Sequence, residues 1–162
     1  MAEMIDVRFE VNGREHALRV EPRELLADVL RLRLGLTGLK VSCDIQVCGA
    51  CTVLVDGLAV SACTYLAVDA DGRSVATVEG LAADGRLTPI QQAFIDEAAF
   101  QCGFCTPGMV MAATALLAEK PAPTRAEVVA GLEGNLCRCT GYIPIVEAVL
   151  AAASSTAGDD GQ

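Results

Sequence analysis

The chain has 162 residues, is 52% hydrophobic and carries a formal net charge of −9. That length suffices for one ordinary domain or two small ones helped by bound metal, and an acidic balance with no Lys/Arg run argues against nucleic acid or an anionic membrane surface as partner. No window offers the roughly 18 consecutive apolar residues of a membrane span, and the N-terminal Met-Ala-Glu-Met-Ile-Asp has no basic segment leading into an apolar stretch, so a cytoplasmic location is expected.

Residues 5–11 alternate apolar and polar side chains, Asn12-Gly13 is a two-residue hairpin signal, and Ala17, Leu18 and Val20 continue a second strand. Leu25, Leu26, Val29, Leu30 and Leu32 recur at helical spacing, which predicts a helix over residues 22–34 closed by Gly35 and Gly38. Residues 39–51 form a loop with three cysteines. Residues 52–55, Asp56-Gly57 and residues 58–62 read as a second hairpin that delivers Cys63, and residues 74–78 as a last strand. Hairpin, helix, cysteine loop and hairpin in this order suit a β-grasp ferredoxin module over residues 1–80.

From Leu81 the alternation gives way to helix starts. Thr88-Pro89-Ile90-Gln91 combines an N-cap threonine, proline at the first helical position and glutamine three residues on, predicting a helix to about residue 99. Thr106-Pro107 opens another to about residue 119, and Thr124-Arg125-Ala126-Glu127 repeats the capping box before a helix ending near Gly134. A fourth covers residues 144–153, and residues 154–162, rich in Ser, Gly and Asp, are expected to form a disordered tail. The fold class is therefore α+β, with an all-α, four-helix domain over residues 81–153 after the sheet-bearing one.

Eight cysteines fall into two sets on this framework. Cys43-x4-Cys48-x2-Cys51 followed by Cys63 has the order of plant-type [2Fe-2S] ferredoxins, where one close-packed loop supplies three thiolates and a more distant strand the fourth. Cys102-x2-Cys105 and Cys137-x-Cys139 stand on separate loops at helix ends and would have to converge on a second site. Gly49 and Ala50, with Gly103 and Gly141, allow close backbone approach to a cluster's sulfurs. Structural zinc also uses Cys-x2-Cys pairs, but zinc ribbons pair two similar knuckles, and these sets are dissimilar. A disulfide framework would require an oxidising compartment.

Three segments carry a family resemblance: Cys48-Gly-Ala-Cys-Thr-Val-Leu-Val-Asp-Gly57, Gln101-Cys-Gly-Phe-Cys-Thr-Pro-Gly-Met109 and Asn135-Leu-Cys-Arg-Cys-Thr-Gly-Tyr142. They resemble the signatures of the iron–sulfur small subunit of molybdenum hydroxylases, the xanthine oxidase, aldehyde oxidoreductase and carbon monoxide dehydrogenase family, over about residues 4–152. The resemblance implies one [2Fe-2S] cluster in each domain, with Cys43, Cys48, Cys51 and Cys63 as ligands of the first and Cys102, Cys105, Cys137 and Cys139 of the second. It implies a large partner subunit carrying a molybdopterin cofactor, an FAD-binding medium subunit, and electrons passing from molybdenum through the helical-domain cluster and then the ferredoxin-domain cluster to FAD or another acceptor. It also implies that Gln101 and Cys139 lie beside the pterin. One departure is the loop Ser42-Cys-Asp-Ile-Gln-Val47, where many similar chains are glycine-rich; Asp44, Ile45 and Val47 would tune a reduction potential, or Asp44 would simply face solvent.

The remaining candidates carry less chemistry. His16, the only histidine, reads as a strand residue, and without a second histidine Rieske-type ligation is excluded. Arg138 either offsets cluster charge or is a surface cation, while Met109 and Met111 read as bundle core or buried interface. There is no Gly-x-Gly-x-x-Gly fingerprint, phosphate loop or nucleophile–base pair, so substrate chemistry is not expected on this chain. The competing readings are a free-standing two-cluster electron carrier and a zinc-stabilised interaction module.

Overall fold

Two Asx-Gly turns set the sheet. Asn12 and Gly13 have φ of +50° and +78°, Asp56 and Gly57 of +50° and +82°, the geometry whose twist matches that of the strands it joins. The first turn links β1 (Ile5–Val11) to β2 (Arg14–Val20), the second β3 (Thr52–Val55) to β4 (Leu58–Ser61), both antiparallel. β5 (Ser74–Ala76) inserts between the hairpins, parallel to β1 and antiparallel to β3, giving the mixed order β2-β1-β5-β3-β4. Asp56 fixes that insertion, its carboxylate accepting from Ser74 N–H at 2.9 Å and from Arg73 Nη1 at 2.8 Å. The computed structural model describes residues 3–82 and 85–159.

The alternation of β1 puts Val7, Phe9 and Val11 on the buried face, where Leu26, Ala27, Val29 and Leu30 cover them. Phe9, Leu26 and Leu30 are fully buried, each contributing about 1.5–3 kcal/mol of transfer free energy. The covering helix α1 is shorter than its periodicity suggests. It is a single α turn, Leu26–Asp28, continuing into a wider π turn over Val29–Arg33, in which Leu34 N–H reaches Val29 O at 3.0 Å. Residues 22–25 are not helical because the segment after β4 takes their backbone groups: Leu25 bridges Leu66, Leu26 N–H donates to Tyr65 O, and Ala67 N–H donates to Glu24 O. The last strand likewise stops at Ala76, and Val78–Gly80 forms a 3-10 turn.

Four longer helices follow among the described residues: α2 (Pro89–Asp96), α3 (Thr106–Glu119), α4 (Arg125–Gly131) and α5 (Ile143–Asp159). Both predicted capping boxes form. Thr88 N–H donates to Gln91 Oε1 at 2.9 Å and Thr124 N–H to Glu127 Oε2 at 2.8 Å. α2 ends before residue 99 because Ala98 turns left-handed, with φ of +48°, and α4 ends three residues before Gly134 in a turn leading to Cys137. α5 continues six residues past its expected end, so residues 154–159, assigned in advance to a disordered tail, are helical; residues 160–162 of that tail lie outside the described residues. Ile90, Phe94, Met109, Val128, Ile145 and Val149 build a second core among these helices, and α3 also lies against β3. The result is an α+β fold. No helix among the described residues is long and apolar enough to cross a membrane.

Candidate metal centres

The first three cysteines lie on the loop between α1 and β3, and the turn after β4 supplies Cys63. The loop folds back on itself by placing Asp44, Gln46 and Gly49 at positive φ, +59°, +59° and +66°. Its amides therefore point inward: Val47 and Cys48 N–H groups donate to Cys43 Sγ, each at 3.4 Å. The backbone amides of Ile45, Val47 and Cys48 pull the Cys43 thiol down to about 6, the state in which a sulfur binds metal. Cys51 and Cys63 are buried, and burial pushes Cys51 up to about 12 against its neighbour Cys63. Gln46 Oε1 accepts from Thr64 Oγ1 at 3.0 Å and ties the loop tip to the Cys63 turn.

In the second set, Cys102 and Cys105 precede and enter α3, while Cys137 and Cys139 occupy the turn between α4 and α5. The two turns converge, with Cys139 Sγ 3.6 Å from Cys102 Sγ and Cys105 in contact with Cys137. Burial pushes Cys105 up to about 12. For Cys137 burial acts in the same sense, but the Thr140 hydroxyl and amide, 3.1 and 3.4 Å from its Sγ, bring the thiol below its ordinary value. Contact with the Cys102 thiol raises Cys139. Tyr142 closes the turn, its Oη accepting from Cys137 N–H at 3.0 Å.

These donor sets suit two-iron clusters. All eight cysteines are free. Two thiolates on one tetrahedral metal with bonds of about 2.3 Å lie about 3.8 Å apart, close to the Cys102–Cys139 separation. Contacts pair Cys43 with Cys48, Cys51 with Cys63, Cys102 with Cys139 and Cys105 with Cys137. The sulfurs thus come in twos, the arrangement that a two-iron core with two thiolates on each iron would need.

The two sets meet across a seam. Leu136 N–H donates to Cys48 O at 2.8 Å, and Asn135 Nδ2 donates to Gly49 O at 2.9 Å and to Thr52 Oγ1 at 3.2 Å. Glycine is required on both sides of this contact. A Cβ on Gly108 would strike Gly49 O, and one on Gly49 would strike Gly134 O and lie 2.6 Å from Asn135 Nδ2. Beside the seam is a hollow of ≈ 380 Å³ bordered by Cys48, Cys102, Cys105, Cys137, Cys139 and Tyr142. A larger groove of ≈ 930 Å³, between β4 and α3, has no cysteine in its lining.

Gln101 is exposed beside Cys102, and Cys139 is exposed at the same end of the fold. Arg138 and Asp44 face solvent, Met109 and Met111 are buried, and His16 lies in edge strand β2. Sequence reasoning missed Thr52, Asn135 and Thr140. All three stand inside quoted signatures, but spacing gives no sign that an amide two residues before a cysteine reaches back across the chain to the other set.

Two domain families match in tandem: a 2Fe-2S iron-sulfur cluster binding domain over residues 9–80 and a [2Fe-2S] binding domain over residues 77–150. The chain is 52% identical to the nicotine 6-hydroxylase small subunit of Paenarthrobacter nicotinovorans, covering 99% of this chain and 96% of that one. It is 49% identical to the xanthine dehydrogenase iron-sulfur-binding subunit of Escherichia coli O157:H7, over 92% and 94% of the two chains. The crystal structure of quinoline 2-oxidoreductase from Pseudomonas putida 86 contains a chain that superposes with a TM-score of 0.92 at 46% identity, covering 99% of each. Aldehyde oxidoreductase from Desulfovibrio gigas gives 0.92 at 43% identity over 96% of this chain, which there amounts to 18% of a longer polypeptide. Paired sulfurs on two facing loops, two cluster-binding domains in tandem and near full-length relatives agree, and the chain belongs to the iron–sulfur small subunits of the molybdenum hydroxylase family, oxidoreductase components that bind two [2Fe-2S] clusters and transfer electrons.

Proposed function

We propose that this chain is the electron relay of a heterotrimeric molybdenum hydroxylase, with its first cluster held by Cys43, Cys48, Cys51 and Cys63 and its second by Cys102, Cys105, Cys137 and Cys139. Each cluster, when bound, takes up and releases one electron. Residues 1–80 act as the β-grasp ferredoxin domain and residues 81–153 as the four-helix domain, the division that the two separate cores favour. The large subunit carries the molybdopterin cofactor and the medium subunit FAD. Gln101 and Cys139 face the pterin, the amide offering both donor and acceptor to a heterocycle. Electrons enter at the helical domain and leave through the ferredoxin domain. Eight cysteines given over to cluster ligation suit a reducing, cytoplasmic location.

The observation that carries this reading is the difference in exposure between the sets. Cys102 and Cys139 are exposed, and Phe104, Leu136 and Tyr142, themselves exposed, border the same hollow. Apolar side chains gathered around an open cluster edge suit a surface that a large subunit covers. At the other set the exposed apolar residues are Ile45 and Val47, on the loop tip, where a second subunit would dock.

The test is iron, acid-labile sulfide and zinc per polypeptide on anaerobically purified protein, with the co-purifying chains identified. About four iron and four sulfide, with two larger chains retained, supports the relay. Iron and sulfide without partners favours a free carrier, and about two zinc without sulfide overturns the electron-transfer assignment.

A further inference from the structure

Three polar side chains are buried among the described residues: Thr52, Thr77 and Asn135. Thr77 is accounted for locally, its hydroxyl between Asn12 Nδ2 and Glu79 Oε2 at 2.9 and 2.6 Å. The other two meet where the cysteine sets meet. Asn135 Nδ2 donates to Gly49 O at 2.9 Å and to Thr52 Oγ1 at 3.2 Å, and Thr52 Oγ1 itself donates to Gly49 O at 2.7 Å. Gly49 O also accepts from Thr52 N–H at 3.1 Å. One carbonyl thus receives three donors, far more than its burial alone requires.

The residue before Gly49 is Cys48, and the residue after Asn135 is Leu136, which precedes Cys137. Holding Gly49 O against Asn135 sets the next pair of backbone groups, Cys48 O and Leu136 N–H, at 2.8 Å. Among the described residues that is the one backbone–backbone hydrogen bond between the two cysteine loops. It joins a thiolate of the first to a thiolate of the second through covalent bonds and one hydrogen bond, with no gap across empty space.

We propose that Asn135 is the positioning residue for electron exchange between the two clusters, acting through the Cys48 O···H–N Leu136 hydrogen bond that it holds in place. The amide does not touch either cluster. It acts by clamping Gly49 so that the bridge keeps its length and direction, and Thr52 seats the clamp by accepting from the amide while donating to the same carbonyl. This rests on the reading that both sets hold [2Fe-2S] clusters.

The experiment uses the intact complex carrying Asn135→Leu, a nearly isosteric change that removes both amide donors. Iron and sulfide are measured first, and an iron-free wild-type complex would defeat the cluster reading, not the clamp. On full complements of both, two readouts follow: the spin–spin splitting between the two reduced clusters in low-temperature electron paramagnetic resonance, and the rate of electron exchange between them after a reducing flash. The expected result is a reduced splitting and a slower exchange, with each cluster's own signal unchanged. Unchanged splitting and rate overturn the proposal. Should Asn135→Leu not assemble, Thr52→Val decides: it leaves the amide's bond to Gly49 O but removes its seat, and it must shift both readouts in the same direction by a smaller amount. No shift in that variant also overturns the proposal.

Discussion

Asp44 sits one residue after the first cysteine with φ of +59° and its side chain in solvent. A left-handed backbone normally favours glycine, and among other residues Asp and Asn tolerate it best because their short polar side chains bond locally. The loop is therefore built with Asp44 and Gln46 at positions whose backbone favours glycine, and its amides still converge on Cys43 Sγ. Because water surrounds the carboxylate, its field at the cluster is strongly screened. Asp44→Asn is accordingly expected to move the first cluster's midpoint potential by less than about 59 mV, a tenfold change for a one-electron couple. Potentiometric titration of the two complexes checks this, and a larger shift would restore Asp44 as a tuning residue. The sequence displays both chemical roles of Asp44 but not its exposure, which depends on how the loop turns.

At the level of elements, the parts of the chain whose signals are local were legible, and the parts settled by distant contacts were not. The Asn12-Gly13 and Asp56-Gly57 turns and the two capping boxes act within a few residues, and each forms as its sequence indicates. α1 depended on segment 65–67, which claims the backbone of residues 24–26, so leucine periodicity overstated its length. The cysteine sets were legible as spacings, but the pairing of Cys102 with Cys139 and of Cys105 with Cys137 follows from how the helices pack. The start of α4 offers a test of local chemistry. Glu127 accepts from Thr124 N–H and pairs with Lys120 at 2.7 Å, and the lysine first, then Thr124, holds its carboxyl down to about 2. A depressed folded-state value means stabilisation fully present above the ordinary carboxylate range and lost as pH falls toward 2. Glu127→Gln should therefore lower the thermal midpoint at pH 7 by a few degrees, and the gap to wild type should close progressively between about pH 4.5 and 2. Calorimetry across that range reads it, and a gap independent of pH would assign the loss to the cap alone.

Across the whole molecule, the two cores are joined at a contact so close that only glycine fits. Gly108 lies in the first turn of α3 with Gly49 O in the place a Cβ would occupy and Ala50 Cα 3.1 Å from it. Backbone atoms cannot swing aside as a side chain would, so Gly108→Ala must push α3 away from the first cysteine loop. The expected cost is about 1–3 kcal/mol, appearing as a broadened or two-step unfolding transition as the halves lose their coupling; a single sharp transition at the wild-type midpoint would mean that the seam is softer than its contacts indicate. The seam also constrains how the chain can diverge. With Gly49 O filling the place of a Gly108 Cβ and Asn135 held over Gly49, a substitution on one face of the contact needs a matching one on the other, so the two halves can change here only in concert.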